Sequence, residues 1–217
     1  MTFIDRRQEA EMGTQERRAR EKEFRRRQIL DAARKLFWKN GYTATTMPDI
    51  ARAAELAPGT LYLYFPGKGA LYTELLVEGY DQLIPRLESR IDPAAPPHNQ
   101  AESLIDAFFD FARDCPEVFN IIFFLLQQEG RGPRQEALEP QLLERLQARE
   151  AACKAIAARV LERIADLPAD QIHRRVDAIW SMLAGVVFFF RGDGPQAVAQ
   201  VAREARDLIL KAHFERR

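Results

Sequence analysis

Several hydroxyl groups and one ammonium group are concentrated in a short, proline- and glycine-punctuated segment near the N-terminus. Hydroxyl groups donate hydrogen bonds to phosphate oxygens and to base edges, and a lysine adds a point charge for a phosphate. The segment is therefore a candidate nucleic-acid contact surface. The side chains concerned are Thr46, Thr60, Tyr62, Tyr64 and Lys68.

The elements that must position these side chains are two short helices joined by a tight turn. Thr46 is a good N-cap for the first helix, and Asp49 three residues later makes a capping-box-like pair. Residues 55–57 form the turn. Pro58 suits the first position of the second helix, and Pro66 with the following glycine ends that helix after about two turns.

The second short helix cannot be stable alone in water, because the few hydrogen bonds of two turns do not offset the free-energy cost of helix nucleation. Leu61 and Phe65 are four residues apart and are expected to face inward. Thr60, Tyr62, Leu63 and Tyr64 are then left to point elsewhere, and a helix of this size fits the major groove of DNA. The alternative is that the two tyrosines are ordinary amphipathic core residues.

The charge of the chain is unevenly divided, although 32 basic and 32 acidic residues give a formal net charge of zero. Residues 1–70 contain 14 Lys/Arg and 9 Asp/Glu, and the remaining residues contain 18 and 23. This asymmetry favours a basic end that meets a polyanion. Arg17, Arg18 and Arg20 could follow a DNA backbone or enter a minor groove; alternatively they belong to a solvated helical face or to a disordered tail.

The apolar pattern is helical throughout and predicts an all-α chain of about nine helices. We expect a basic N-terminal extension over 1–22, a three-helix helix-turn-helix domain over 23–70 and a helical domain over 71–217. The longest uncharged apolar run, Ala178–Phe190, has thirteen residues. As a helix it would measure about 20 Å, too short for the roughly 30 Å hydrocarbon layer, so a cytoplasmic protein without a membrane partner is expected.

Residues 27–72 resemble the DNA-binding domain of TetR/AcrR-type bacterial transcriptional regulators. The resemblance is strong because many positions match in register, whereas the rest of the chain resembles the family only in being helical and of suitable length. The matching positions are Ile29-Leu30-Asp31-Ala32-Ala33, Leu36-Phe37, Gly41-Tyr42-Thr43, Thr45-Thr46, Ile50-Ala51, Ala54, Gly59-Thr60-Leu61-Tyr62, Tyr64-Phe65, Lys68 and Leu71.

The resemblance implies roles for the matched residues in binding duplex DNA. Thr46 would bind a phosphate, Gly59 would allow the backbone to approach DNA closely, and Thr60 and Tyr62 would touch bases or phosphates. Tyr64 and Lys68 would hold the phosphate backbone. The chain departs from the family at Glu55-Leu56-Ala57, where a Gly-Val-Ser-like turn is usual, at Pro58, which removes one backbone donor, and at Gly69, where Glu is common.

In the family the second domain binds a small ligand and forms a dimer, and the sequence offers candidates for both. Helices that are apolar around most of their circumference must be buried, so two from each subunit would form a four-helix interface. The alternative is an intramolecular core helix. The candidate interface residues are Ile172, Val176, Ile179, Leu183, Val187, Val201 and Leu208. An aromatic-rich set could line an effector pocket or simply form core: Phe108, Phe111, Phe119, Phe123, Phe124 and Trp180.

Together these features predict a homodimeric regulator that binds a near-palindromic operator, with no cofactor or metal and no catalytic site. The resemblance implies a repressor released by a small apolar or aromatic effector. An enzyme is the main rival, but the three serines lie in no Gly-x-Ser-x-Gly elbow and the three histidines lack the spacing of a helical metal site. The other rival is a helical lipid- or small-molecule-binding protein without DNA binding.

Overall fold

The computed structural model of the chain describes residues 3–123, 140–163 and 167–214, with side chains between residues 15 and 212 of these ranges. Nine α-helices and no strand lie within them, which confirms the predicted all-α class. They are α1 (Phe3–Asn40), α2 (Met47–Ala53), α3 (Pro58–Tyr64), α4 (Lys68–Ser89), α5 (Pro97–Asp114), α6 (Pro116–Phe123), α7 (Pro140–Glu162), α8 (Ala169–Phe190) and α9 (Pro195–Phe214).

The chain divides into two compact units, Met1–Tyr72 and Thr73–Arg217. The division falls two residues after the expected boundary between residues 70 and 71 and lies within α4. The expected extension over 1–22 is no separate element in the described residues, because α1 is one continuous helix from Phe3.

The first unit is built around the C-terminal half of α1. Ile29 and Ala33 on α1 are fully buried, as is Ile50 on α2. An aromatic group supports them: the rings of Phe37 and Tyr42 have centroids 5.4 Å apart, and Tyr72 packs edge-on against both. Helix α1 ends at Asn40, and Gly41 after it takes the positive φ of 81° that glycine adopts without cost.

The second unit has an aromatic core formed by α5, α6 and α8. Phe108 contacts three other rings at centroid distances of 5.2 to 5.4 Å, those of Phe119, Phe123 and Trp180. Helix α4 approaches α6 closely at Gly79, where a Cβ atom would lie 2.8 Å from a side-chain carbon of Ile122. A larger residue at position 79 would therefore require the side chain of Ile122 to shift.

Ion pairs link helices at the surface of the second unit. Arg206 on α9 lies 3.1 Å from Asp106 and 3.4 Å from Glu102, both on α5. Arg149 on α7 lies 2.7 Å from Asp81 on α4. Because the carboxylates of these pairs are 41–47% exposed, the pairs add little to stability compared with the aromatic core.

Candidate nucleic-acid interface

Helix α2 begins with the predicted capping box. The Thr46 hydroxyl accepts the backbone N–H of Asp49 at 3.3 Å, and the Asp49 carboxylate accepts the backbone N–H of Thr46 at 3.3 Å. The same hydroxyl donates its proton to Asp49 at 2.5 Å, and this hydrogen bond is the largest cause of the lowered pKa of the Asp49 carboxyl group. The hydroxyl of Thr46 is therefore occupied in fixing the start of α2.

The turn between α2 and α3 is a Schellman motif with a glutamate at the position that glycine usually fills. The Leu56 N–H donates to the Ala51 carbonyl at 2.9 Å, and the Glu55 N–H donates to the Arg52 carbonyl at 3.1 Å. Glu55 has φ = 56°, the left-handed conformation that is costly for a residue with a Cβ atom. This departure from the usual Gly-Val-Ser-like turn thus keeps the turn geometry but stores backbone strain.

Helix α3 has one buried side and one exposed side. It begins at Pro58 as predicted, without a side-chain cap from Ala57. Leu61 and Phe65 are buried, which confirms their predicted inward orientation. Tyr62 is 50% exposed, so it is not a core tyrosine.

The other predicted contact residues of α3 lie around this exposed side. Thr60 and Tyr64 are half-buried and Gly59 is exposed. A Cβ atom at Gly59 would meet no atom within 4 Å. The fold therefore does not require a glycine at this position, and its predicted close approach to DNA stays a prediction.

Leu63 is the outward-pointing residue of this surface to which the sequence assigned no DNA contact. It is 84% exposed, more than any other large apolar side chain named in the first unit. The signal was present, because Leu63 lies two residues after the inward-facing Leu61 on the same short helix. An exposed leucine on a helix of this size can contact the methyl group of thymine.

Lys68 forms hydrogen bonds with the loop that precedes α2. Its ammonium group donates to the backbone carbonyls of Tyr42 at 2.6 Å, Thr45 at 2.8 Å and Thr43 at 3.3 Å. It also lies 4.3 Å from the centroid of the Tyr42 ring. Since an ammonium group has three N–H donors, these carbonyls use all of them. In the absence of DNA Lys68 therefore holds the loop that leads into α2, and its contact with a DNA phosphate stays a prediction.

Residues 29–75, which contain this arrangement, match the family model described as bacterial regulatory proteins, tetR family. Over these residues the chain is similar to the tetR family. It is 38% identical over 87 residues to the transcriptional repressor KstR of Mycolicibacterium smegmatis, covering 40% of this chain and 38% of that protein. It is 27% identical over 189 residues to the repressor KstR2 of Mycobacterium tuberculosis, covering 86% of this chain and 91% of that protein.

The overall fold is also that of solved tetR-family structures. The FadR regulator of Bacillus subtilis in complex with stearoyl-CoA superposes with a TM-score of 0.65 at 21% identity, over 84% of this chain and 96% of that one. The likeness at this identity concerns the fold alone. The chain spans less than half the length of several curated relatives that it matches, between 38% and 47%.

The second unit contains a cavity of about 60 Å³ that is lined by aliphatic and aromatic side chains. Two of the predicted pocket residues, Phe108 and Trp180, line it. The assignment of three others is corrected, because Phe111, Phe119 and Phe123 pack in the aromatic core and are not among the lining residues. Phe124, the sixth, lies outside the described residues.

Most of the predicted dimer residues of α8 lie on the side of the helix that packs against the core of the second unit. Four of them are buried within a single chain and cannot reach a second one: Ile172, Val176, Leu183 and Val187. Ile179 lines the cavity. The reason is that α8 is apolar on two faces, and the sequence pattern does not tell which of them packs internally.

Large exposed apolar side chains lie elsewhere on α8 and also on α9. Met182 and Phe189 on α8 are exposed, Phe189 to 75%. On α9 the predicted Leu208 is 64% exposed and the predicted Val201 is half-buried. Large apolar side chains exposed in this number on neighbouring helices mark a contact surface for another protein chain.

Two further features of the described residues bear on the rival functions. No group of three or more His, Cys, Asp or Glu side chains among them is placed to hold a metal ion. Within the described ranges no helix has both the length and the hydropathy needed to cross a bilayer.

The position of Lys68 predicts that its replacement destabilises the first unit in the absence of DNA. Lys68→Met removes three hydrogen bonds from a charged donor, and we expect a loss of about 2 kcal/mol in unfolding free energy. Urea unfolding followed by Trp38 fluorescence, with Trp180 replaced by Phe, measures it. Lys35→Met, which removes one exposed charge from α1, is the matched control and should have little effect. Unchanged stability in Lys68→Met together with weaker DNA binding would favour the phosphate role instead.

Proposed function

We propose that the chain is a sequence-specific DNA-binding transcriptional regulator that acts in the cytoplasm as a homodimeric repressor. The observation that carries the proposal is the exposed side of α3, where Tyr62 and Leu63 face solvent while Leu61 and Phe65 anchor the helix. A tyrosine and a leucine exposed side by side on a seven-residue helix do not contribute to the stability of the fold. A major groove offers hydrogen-bond acceptors for the first and thymine methyl groups for the second.

The similar proteins support the same function. The relatives named above are called transcriptional repressors, and neither name describes an enzyme. Because the aligned length is short for several relatives, the family match supports the DNA-binding part most directly. The ligand and the sign of regulation belong to the proposal.

Dimerisation is the second part of the proposal, with the contact surface moved to the exposed face of α8 and α9. Met182, Phe189 and Leu208 provide the apolar centre of that surface. A second copy of the chain is the occupant that fits, because a two-fold dimer places two copies of α3 on the two half-sites of a near-palindromic operator.

An apolar or aromatic effector is the third part, and the cavity lined by Phe108 and Trp180 supports it. A drug-sized ligand needs a pocket of roughly 300–1,000 Å³, so a cavity of about 60 Å³ must widen to accept an effector. Helix α4 contributes a residue to the cavity and another to the support of the loop before α2. Leu87 near its C-terminal end lines the cavity, and Lys68 at its N-terminal end holds the loop before α2. If the cavity widens and α4 shifts as a result, the loop held by Lys68 shifts with it, and the placement of α2 and α3 changes.

The names of similar proteins suggest effectors to test first. FadR of Bacillus subtilis was solved with stearoyl-CoA, and KstR2 of Mycobacterium tuberculosis is described as a ketosteroid transcriptional regulator, 26% identical with a TM-score of 0.62 over 87% of this chain and 94% of that one. A long acyl chain and a steroid are both predominantly apolar, as is the lining of the cavity.

The DNA-binding proposal predicts that the exposed residues of α3 determine affinity. Duplexes are first selected from a random library with the wild-type protein, and binding is measured by fluorescence anisotropy. Tyr62→Ala should weaken binding by about 1–3 kcal/mol, and Leu63→Ala should reduce discrimination at a thymine position. Phe24→Ala, which removes an exposed aromatic ring from the outer side of α1, is the control. The proposal fails if no duplex is enriched or if both α3 variants bind like the wild type.

The dimer proposal predicts that a charge at Leu208 separates the subunits. The wild type should sediment at twice the 24.9 kDa chain mass, and Leu208→Arg at the mass of one chain, because an arginine cannot be desolvated without a partner. Gln196→Arg, at an exposed position about 120° around α9 from Leu208, should remain dimeric. A monomeric wild type, or a dimeric Leu208→Arg variant, would show that this face is not the interface.

The effector proposal predicts a fluorescence change of Trp180 on ligand binding. In a Trp38→Phe variant only Trp180 emits, and it is titrated with stearoyl-CoA, with a ketosteroid and with an aromatic hydrocarbon. A ligand that shifts the emission should also release DNA. Ala157→Val narrows the cavity and should abolish both effects, whereas Ala152→Val at an exposed position of α7 should not. DNA release that persists in Ala157→Val would place the effector elsewhere.

A further inference from the structure

The N-terminal part of α1 carries charged residues that the core of the first unit does not use. The first fully buried residue of α1 is Ile29, whereas residues 15–24 are all exposed. These residues nevertheless continue the same helix, so the direction of each side chain is fixed relative to the core.

Three basic residues extend the inward-facing side of α1 beyond the core. Arg18, Lys22 and Arg26 are spaced four residues apart, and at about 100° per residue they lie on the same side of the helix as Ile29 and Ala33. We call these three residues the basic stripe. At a rise of about 1.5 Å per residue the stripe is about 12 Å long.

No acidic residue of this segment lies within the arc of the basic stripe. Glu21 and Glu23 flank the arc, each about 60° around the helix from its nearest member, Arg18 and Arg26, and Glu16 lies about 120° from Lys22. Glu23 is paired with Arg27 at 3.1 Å outside that arc. Among the described residues, neither Arg18 nor Lys22 forms an ion pair.

One contact fixes the stripe on the side of α3. The guanidinium carbon of Arg26 lies 4.5 Å from the ring centroid of Phe65, the residue that ends α3. The stripe therefore begins beside the C-terminal end of α3 and continues away from α3 along α1.

A duplex is the partner that this arrangement fits. B-form DNA carries one charge per about 1.7 Å of its axis, so a stripe of about 12 Å can meet several phosphates. An anionic membrane fits less well, because a helix that lies on a membrane needs an apolar face, and only Phe24 among residues 15–24 is a large apolar residue.

We propose that the basic stripe of α1 binds the phosphate backbone of the operator beside the bases that α3 contacts. This inference rests on the proposed DNA-binding function. It adds a helical contact to the helix-turn-helix and makes affinity depend on base pairs next to the half-site. Arg26 is held against Phe65, while Arg18 and Lys22 reach the flanking phosphates.

The test uses the full-length protein and the salt dependence of its binding. Arg18→Gln with Lys22→Gln removes two charges from the stripe, and Arg17→Gln with Arg20→Gln removes two from the outer side of the same helix. Because each lost phosphate contact lowers the slope of log K against log salt by about 0.9, the stripe variant should lose about 1.8 from the slope. Its affinity at 0.1 M salt should fall by up to about sixtyfold, and the control should keep the wild-type slope.

A second measurement separates the inference from the function on which it rests. Duplexes shortened stepwise at the flanks of the selected site should weaken wild-type binding but leave the stripe variant unaffected. If the wild type binds the selected site and both double variants share its salt slope, the inference is wrong and the function stands. If the wild type binds no duplex, the function itself fails. Loss of binding to phosphatidylserine vesicles in the stripe variant, with DNA binding unchanged, would assign the stripe to a membrane and overturn the inference.

Discussion

The arrangement of the first unit depends on the burial of two side chains from a helix that cannot exist alone. Helix α3 has seven residues and no side-chain cap, so its intrinsic stability is negligible. Leu61 and Phe65, both buried, attach it to the core. Each such side chain contributes roughly 2 kcal/mol when it is fully removed from water. That anchorage allows Tyr62 and Leu63 to remain exposed at fixed positions, which a recognition surface requires. The start of α2 is fixed by a comparable set of contacts. The capping box of Thr46 and Asp49 fixes the first turn of α2. Lys68 fixes the preceding loop by donating hydrogen bonds to three of its backbone carbonyl groups.

The range of these contacts along the chain explains what the sequence could predict. The capping box, Pro58 at the start of α3 and the inward side of α3 depend on spacings of three or four residues, and all are seen in the structure. Lys68 contacts residues more than twenty positions before it, which no spacing reveals. The outward direction of Leu63 follows from the spacing of Leu61 and Phe65, but a contact role for an apolar side chain does not. Helix α8 shows a second limit. Its stripe from Ile172 to Val187 is a correct description of an apolar face, but that face packs inside one chain and leaves Met182 and Phe189 exposed.

Glu55 shows where this chain differs from the usual tetR-family pattern without losing the fold. Both hydrogen bonds of the Schellman motif form, although a left-handed conformation costs a residue with a Cβ atom about 1–2 kcal/mol. The burial of Ala51 and Ile50 on one side of the turn and of Leu61 on the other compensates for this cost. The geometry of the turn is therefore imposed by packing and not by its own residues.

The formal net charge of zero is compatible with binding a polyanion because electrostatic binding is local. At 0.1 M ionic strength the Debye length is about 10 Å, so a phosphate interacts mainly with charges within that distance. A stripe of cations on one helix face can therefore create an attractive surface even when acidic residues elsewhere cancel it in the total. What matters is whether acidic side chains share the face, and among residues 15–24 of α1 none lies within the arc of the basic stripe. The placement of charge on a helix, more than its sum, decides which surface meets DNA.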